Sequence, residues 1–198
     1  MKKIISLSLG TLMLFLAFAN LYAQEEQKAE PMKPVLIVID TQNKYLPYMS
    51  DEDKNFAFEV INYAISMFRQ HEFPIIRVYH TDPDWGPTPD TEDFEFPEKI
   101  AVTDDDPKII KTYGNAFNKT DLDKVIKEME GNTLFLCGLS AVGCVLATYN
   151  GAKDRDYNVF LVKGALMSHN STYTKFVEDV YEPVGLNALK VMLENSKK

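Results

Sequence analysis

Four short apolar runs, "VLIVI" (35–39), "IIRVY" (75–79), "TLFLC" (133–137) and "NVFLV" (158–162), recur along this 198-residue chain, and they leave few architectures open. Each lacks the polar alternation of a half-exposed strand, which is the pattern of a strand buried on both faces of a parallel sheet. The segments between them are too long for hairpins and carry helical period. Before "IIRVY", Phe56, Val60, Ile61, Ala64, Ile65 and Phe68 keep three-to-four spacing, with N-cap candidates from Ser50 to Asp53. Before "TLFLC", the stretch "TDLDKVIKEMEG" offers Thr120 as N-cap, Asp123 in a capping-box-like position, Val125 and Met129 on one face, and Gly131 as a stop. Val145, Ala147, Thr148 and Ala152 predict a short buried helix ahead of "NVFLV". Strands alternating with helices predict an α/β fold: a three-layer, open, mainly parallel sheet with right-handed crossovers and helices on both faces.

The N-terminus predicts a compartment. "MKK" is followed by an apolar run from Ile4 to Ala19 and then by polar "QEEQKAE", the pattern of a secretory signal peptide over residues 1–23, cut after Ala23, with an uncleaved N-terminal anchor as the alternative. Its apolar stretch is shorter than the roughly 20 residues of a membrane span. Export to the periplasm or the extracellular space is the expectation. Residues 24–32 read as a charged, proline-containing tether, and residues 33–198 as the domain. About 165 residues suit one domain with a sizeable core and not two. Without Lys2 and Lys3 the mature chain holds 19 basic against 29 acidic side chains, a formal charge of −10. That balance repels nucleic acid and anionic membrane. Two cysteines do not make a disulfide scaffold, so the core must carry the stability.

One stretch interrupts the alternation. Residues 80–107, "HTDPDWGPTPDTEDFEFPEKIAVTDDDP", contain five prolines and many acidic side chains without any period. Trp85, Phe94 and Phe96 predict a packed cover following the second strand, because disordered segments seldom hold so many aromatics. The short run "KII" (108–110) either adds an edge strand or returns this cover to the body.

Ligands of open parallel sheets gather at the carboxyl ends of the strands. The residues found there are Asp40, His80, the segment 138–144 and Lys163. Cys144 follows the turn "GLSAVG" and precedes a helical run, where free N–H groups and the helix dipole lower a thiol pKa and hold an oxyanion. Cys137 ends an apolar run and reads as buried core. A bridge between the two is the alternative that an exported location permits. Asp40, at the end of a buried run, needs a partner or a task, with a turn or N-cap role as the plain alternative. His80 could orient substrate, bind metal or, as most lone histidines do, satisfy a backbone carbonyl.

Taken together, these residues resemble the isochorismatase-like cysteine hydrolases, the family of nicotinamidases and N-carbamoylsarcosine amidases. Three blocks carry the likeness in order: "VLIVIDTQNKYL" (35–46), "KTYGNAFNKTDL" (111–122) and "LCGLSAVGCVLATYNGAKDRDYNVFLV" (136–162). The resemblance implies a Rossmann-like hydrolase fold. It implies Cys144 as nucleophile, Asp40 as its proton acceptor and later general acid and base, and Lys111 as the cation beside them. It further implies an oxyanion hole from the backbone N–H groups of Ser140 and Cys144, with a cis peptide between Leu139 and Ser140. Tyr45 falls where the family often places a substrate-stacking aromatic, and Trp85 or Phe96 could supply another, with His80 near. The implied reaction is hydrolysis of a C–N bond in a small amide, carbamoyl or ureido compound, with no cofactor. Isochorismatase-type vinyl-ether cleavage, or non-catalytic binding, is the alternative. Ala141, Val142 and Gly164 depart from the residues usual in the family. Nicotinamidases place Asp-x-His and further histidines for a metal after the second strand. His80, with Asp82 and Asp84, does not reproduce that set, so no metal is expected. Family members commonly form homo-oligomers.

Overall fold

Five strands pair in the order β3-β2-β1-β4-β5, every neighbour parallel. They are β1 (Pro34–Ile39), β2 (Ile75–His80), β3 (Lys108–Lys111), β4 (Thr133–Leu139) and β5 (Asn158–Met167). The helices are α1 (Asp51–Gln70), α2 (Leu122–Glu128), α3 (Leu146–Lys153), α4 (Ser171–Tyr181) and α5 (Leu186–Glu194). This computed structural model describes residues 30–181 and 183–196. The expected signal peptide and most of the expected tether lie outside the described residues. Among the described residues, no helix is long and apolar enough to cross a membrane.

The apolar runs do what their composition requires. Every residue of β1 is buried, and its side chains alternate between two cores. Leu36 and Val38 join Ile61, Phe68 and Phe135 on one face, beneath α1 and α5. Val35, Ile37 and Ile39 join Leu136, Phe117, Ile126 and Val145 on the other, beneath α2, α3 and α4. Each such Val, Ile or Leu contributes about 1.5–3 kcal/mol on burial, and both faces of the sheet are used.

The helix signals were legible with small shifts. Ser50 caps α1, its Oγ accepting from the Asp53 N–H at 3.1 Å. Thr120 Oγ1 accepts from the Leu122 N–H at 3.2 Å, but it stands one residue before the N-cap, which is Asp121, and Asp123 pairs with Lys127 and accepts from the Tyr157 hydroxyl at 3.0 Å. At the other end of α2 the left-handed residue is Glu130 (φ 56°), not Gly131. Gly131 is needed for a different reason: a Cβ there would lie 2.5 Å from Val35 Cγ2.

"KII" proves to be the start of edge strand β3, which pairs with β2 so that Lys111 stands beside His80. The stretch between those strands is a packed cover, though not in all its aromatics. Phe94 and Phe96 stack on Tyr79 with ring centroids 5.0 and 4.3 Å apart, and the backbone N–H groups of Asn43 and Lys44 donate to Glu95 and Asp93. Trp85, by contrast, is 86% exposed on a turn held by Asp82.

Candidate active site

Three strand ends and one turn converge. The first is the end of β1, where the Asp40 N–H still donates to the Val78 carbonyl at 2.8 Å before the chain turns at a left-handed Asp40 (φ 48°). Aspartate is among the residues that tolerate this conformation. The second and third are His80 and Lys111, in register on β2 and β3. Beyond β4 the chain passes through a cis Leu139–Ser140 peptide into a kinked π-helical turn, Ala141–Val145, which carries Cys144 and runs directly into α3. The Ser140 carbonyl accepts from Gly143 and Val145, which ties the turn down, and Ser140 Oγ lies 3.3 Å from the buried Ser168 Oγ.

Lys111 is the hub. Its side chain is fully buried, and its Nζ lies 2.7 Å from Asp40 Oδ2, 3.2 Å from Cys144 Sγ and 3.2 Å from His80 Nδ1. Asp40 is 71 residues away in sequence and Cys144 33, so only the parallel sheet brings the three together. The other carboxylate oxygen, Asp40 Oδ1, is the one buried side-chain polar atom without a hydrogen-bond partner among the described residues.

The electrostatics follow from burial. Desolvation raises the Asp40 pKa above the usual carboxylate value, with the Lys111 ammonium opposing. Desolvation and then the Asp40 charge push the Cys144 thiol up to about 12, and Lys111 offsets this only in part. This corrects the expectation of a lowered thiol pKa: the helix start is present, but the sulfur sits in a low-dielectric site beside a carboxylate. At neutral pH the sulfur is therefore a neutral thiol, with the Lys111 Nζ 3.2 Å away. His80 is held below its ordinary pKa by burial and by Lys111, and is a neutral imidazole. Tyr45, half-buried with its ring centroid 6.4 Å from that of His80, has its pKa raised by burial and by the Asp40 charge, and stays a phenol.

The two cysteines are both free, which removes the disulfide alternative. Cys137 belongs to the core beneath α1, whereas Cys144 packs on the opposite face. Phe96 is buried against Tyr79 and Trp85 faces solvent, so neither is brought to Cys144 by the contacts observed. His80 satisfies Lys111 with its ring, not a backbone carbonyl.

Gln42 was part of the quoted motif but not singled out from sequence. Its Nε2 donates to the carbonyls of His80 (3.0 Å) and Phe94 (2.8 Å), and its Oε1 accepts from the His80 N–H at 2.7 Å. It thus locks the cover to the end of β2; an amide bearing both donor and acceptor after a strand-end aspartate was the available signal.

Asp40, His80 and Cys144 place their ligand atoms within 4.8 Å of one another, as a metal set would. The cation they surround is the Lys111 ammonium. The region following β2 does not fit a nicotinamidase-type metal either: His80 Nδ1 faces Lys111, and Asp82 Oδ1 accepts from the N–H groups of Asp84 and Trp85.

The family model for the isochorismatase domain matches residues 34–187. The chain belongs to the isochorismatase family. Among curated relatives of this family hydrolase, the isochorismatase family protein YrdC of Bacillus subtilis is 26% identical over 149 residues, 71% of this chain and 80% of that protein. Enterobactin synthase component B of Escherichia coli is 27% identical over 156 residues, 69% of this chain, but the match spans only 53% of that longer protein. Among solved structures, N-carbamoylsarcosine amidase from Thermoplasma acidophilum superposes with a TM-score of 0.67 at 24% identity, covering 78% of this chain and 95% of that one. A cysteine hydrolase from Pseudomonas syringae gives 0.70 at 17%, covering 85% and 95%. At these identities the structural likenesses speak for the fold.

Proposed function

We propose that this isochorismatase-family hydrolase cleaves a C–N bond of a small amide, carbamoyl or ureido compound through a thioester on Cys144. The observation that carries this reading is Asp40: Lys111 engages one carboxylate oxygen, the other is buried and unpartnered, and a carboxylate oxygen lies within 4.8 Å of the Cys144 sulfur, in range to take its proton.

Sulfur attacks the substrate carbonyl carbon while its proton passes to Asp40. The carbonyl oxygen takes the negative charge and is met by the backbone N–H groups of Ser140 and Cys144. The amide N–H groups of Gly143 and Val145 are already committed to the Ser140 carbonyl, which favours that assignment within the turn. As the intermediate collapses, the C–N bond breaks, Asp40 returns the proton to the leaving nitrogen, and the amine or ammonia departs. Water then gives its proton to Asp40 and attacks the thioester. Collapse of this second intermediate releases the acid product, and the proton goes back to sulfur. Lys111 offsets the growing negative charge on sulfur throughout.

All three arginines of the chain are bound elsewhere: Arg69 and Arg77 to Asp106 and its neighbours, and Arg155 to the Gly151 carbonyl. With Lys111 held by three partners and a chain of strong negative charge, this favours an uncharged substrate over the dianionic substrate of a vinyl-ether hydrolase. The signal-peptide pattern of the N-terminus supports a reaction in the periplasm or outside the cell. Ammonia release from a panel of neutral primary amides and ureides, compared between the parent protein and Cys144→Ala, tests the reading. The parent should turn over at least one class and the variant none, with its melting temperature kept within a few degrees; hydrolysis by the alanine variant would remove Cys144 from the chemistry.

A further inference from the structure

A lysine ammonium has three N–H bonds to place and no acceptor capacity, and in a fully buried side chain an unplaced bond is costly. Two of those of Lys111 go to Asp40 and Cys144. The third meets His80 Nδ1 at 3.2 Å.

We infer that His80 is a positioning residue, a fourth member of the reacting group whose Nδ1 lone pair takes the third Lys111 N–H and keeps the ammonium directed between Asp40 and Cys144. The inference rests on the reading of those three residues as the reacting group. Because ammonium can only donate, Nδ1 must present its lone pair, which puts the imidazole proton on Nε2. The ring is aimed by its own backbone: the His80 N–H donates to Gln42 Oε1 and its carbonyl accepts from Gln42 Nε2, while the β2–β3 register sets it beside Lys111.

The groups facing the imidazole are Lys111 from β3, Asp40 from the end of β1, Cys144 from the turn, Tyr45 from the segment after β1 and Asp82 from the cover. Burial and Lys111 hold the ring neutral against the opposite pull of the two aspartates. A protonated ring would lose its lone pair and set a second cation 3.2 Å from Nζ. The neutral tautomer is thus the one that works.

Two variants separate positioning from filling space. In His80→Asn the amide oxygen falls near the place of Nδ1 and cannot titrate; in His80→Leu no acceptor remains. The probe is iodoacetamide, its capture by Cys144 followed by peptide mapping at pH 7.5. His80→Leu should slow capture about tenfold or more, the loss of one hydrogen bond to a charged group, while His80→Asn should stay within about threefold of the parent. In ¹H–¹⁵N spectra the His80 ring should be the Nε2–H tautomer, and in Lys111→Met its titration midpoint should rise and the tautomers mix. Capture by folded His80→Leu at the parental rate, or a ring protonated on Nδ1, overturns the inference. Should His80→Leu fail to fold, the ring spectrum decides. Parental capture in His80→Leu alongside lost hydrolysis in Cys144→Ala sinks this inference and spares the hydrolase reading. Slowed capture in a protein that hydrolyses no amide does the reverse.

Discussion

Cys144 and Lys111 each make a prediction about charge. Burial beside Asp40 pushes the thiol up to about 12, so the resting sulfur is protonated. The difference in absorbance near 240 nm between the parent and Cys144→Ala should show no thiolate step below about pH 9, a region an ordinary cysteine begins to enter. A step near pH 6 or 7 would mean that Lys111 and the helix start outweigh desolvation. Lys111→Met strands a buried carboxylate, and breaking a buried pair this way costs about 3–5 kcal/mol. The sign of its pH dependence follows from Asp40, whose pKa is already raised and rises further without the opposing cation. A carboxyl with a folded pKa above its unfolded value contributes stability that is present below the unfolded value and lost as pH rises through the folded one. The melting-temperature deficit of Lys111→Met relative to the parent should therefore be largest near pH 7.5 and shrink toward pH 4.5. Of the residues that cluster here, Asp40 was suspect from its place at the end of a buried run, whereas Cys144 and Lys111 were ordinary taken singly and were marked as partners only by the family resemblance. The His80 ring contact was not, since nothing local tells a histidine whether β3 will put an ammonium beside it.

Among the elements, β1 and β4 approach closely where both end. Gly138 has φ 108°, and a Cβ there would fall 2.1 Å from the Ile39 carbonyl oxygen. Only glycine fits both the conformation and the gap. Gly138→Ala should push apart the two strand ends that deliver Asp40 and Cys144. The expected cost is above about 3 kcal/mol in urea unfolding, with Cys144 alkylation changed even in any folded fraction. A variant of parental stability would contradict this close packing. Four of the strands and helices α1 to α3 were readable from their periods, whereas α4 and α5 were not drawn from sequence; Ser50 and most of the α1 stripe sit as their chemistry requires, but Phe56 of that stripe is exposed. What periodicity could not supply was the role of each aromatic in the cover. Phe94 and Phe96 have the flat face of Tyr79 to stack on, and Trp85 has none, a difference made by residues many positions away.

On the scale of the whole molecule, a parallel sheet buried on both faces gathers one charge pair, one thiol and one imidazole at its carboxyl edge, from residues that the sequence scatters over more than a hundred positions. Membership of the isochorismatase family accounts for this frame. The departures at Ala141 and Val142, in the turn that carries Cys144, and at Gly164, which packs beside Phe56 and Val60, leave the Asp40–Lys111–Cys144 contacts in place. The reactivity of those three residues is the central claim, and a covalent intermediate is its most direct trace. The decisive measurement is intact-protein and peptide mass spectrometry of enzyme quenched in acid during turnover of a neutral primary amide. An acyl adduct is expected on the Cys144 peptide, absent from Cys144→Ala and from the Cys137 peptide. Turnover with Cys144 unmodified at every time point, or an adduct on another residue, would contradict it.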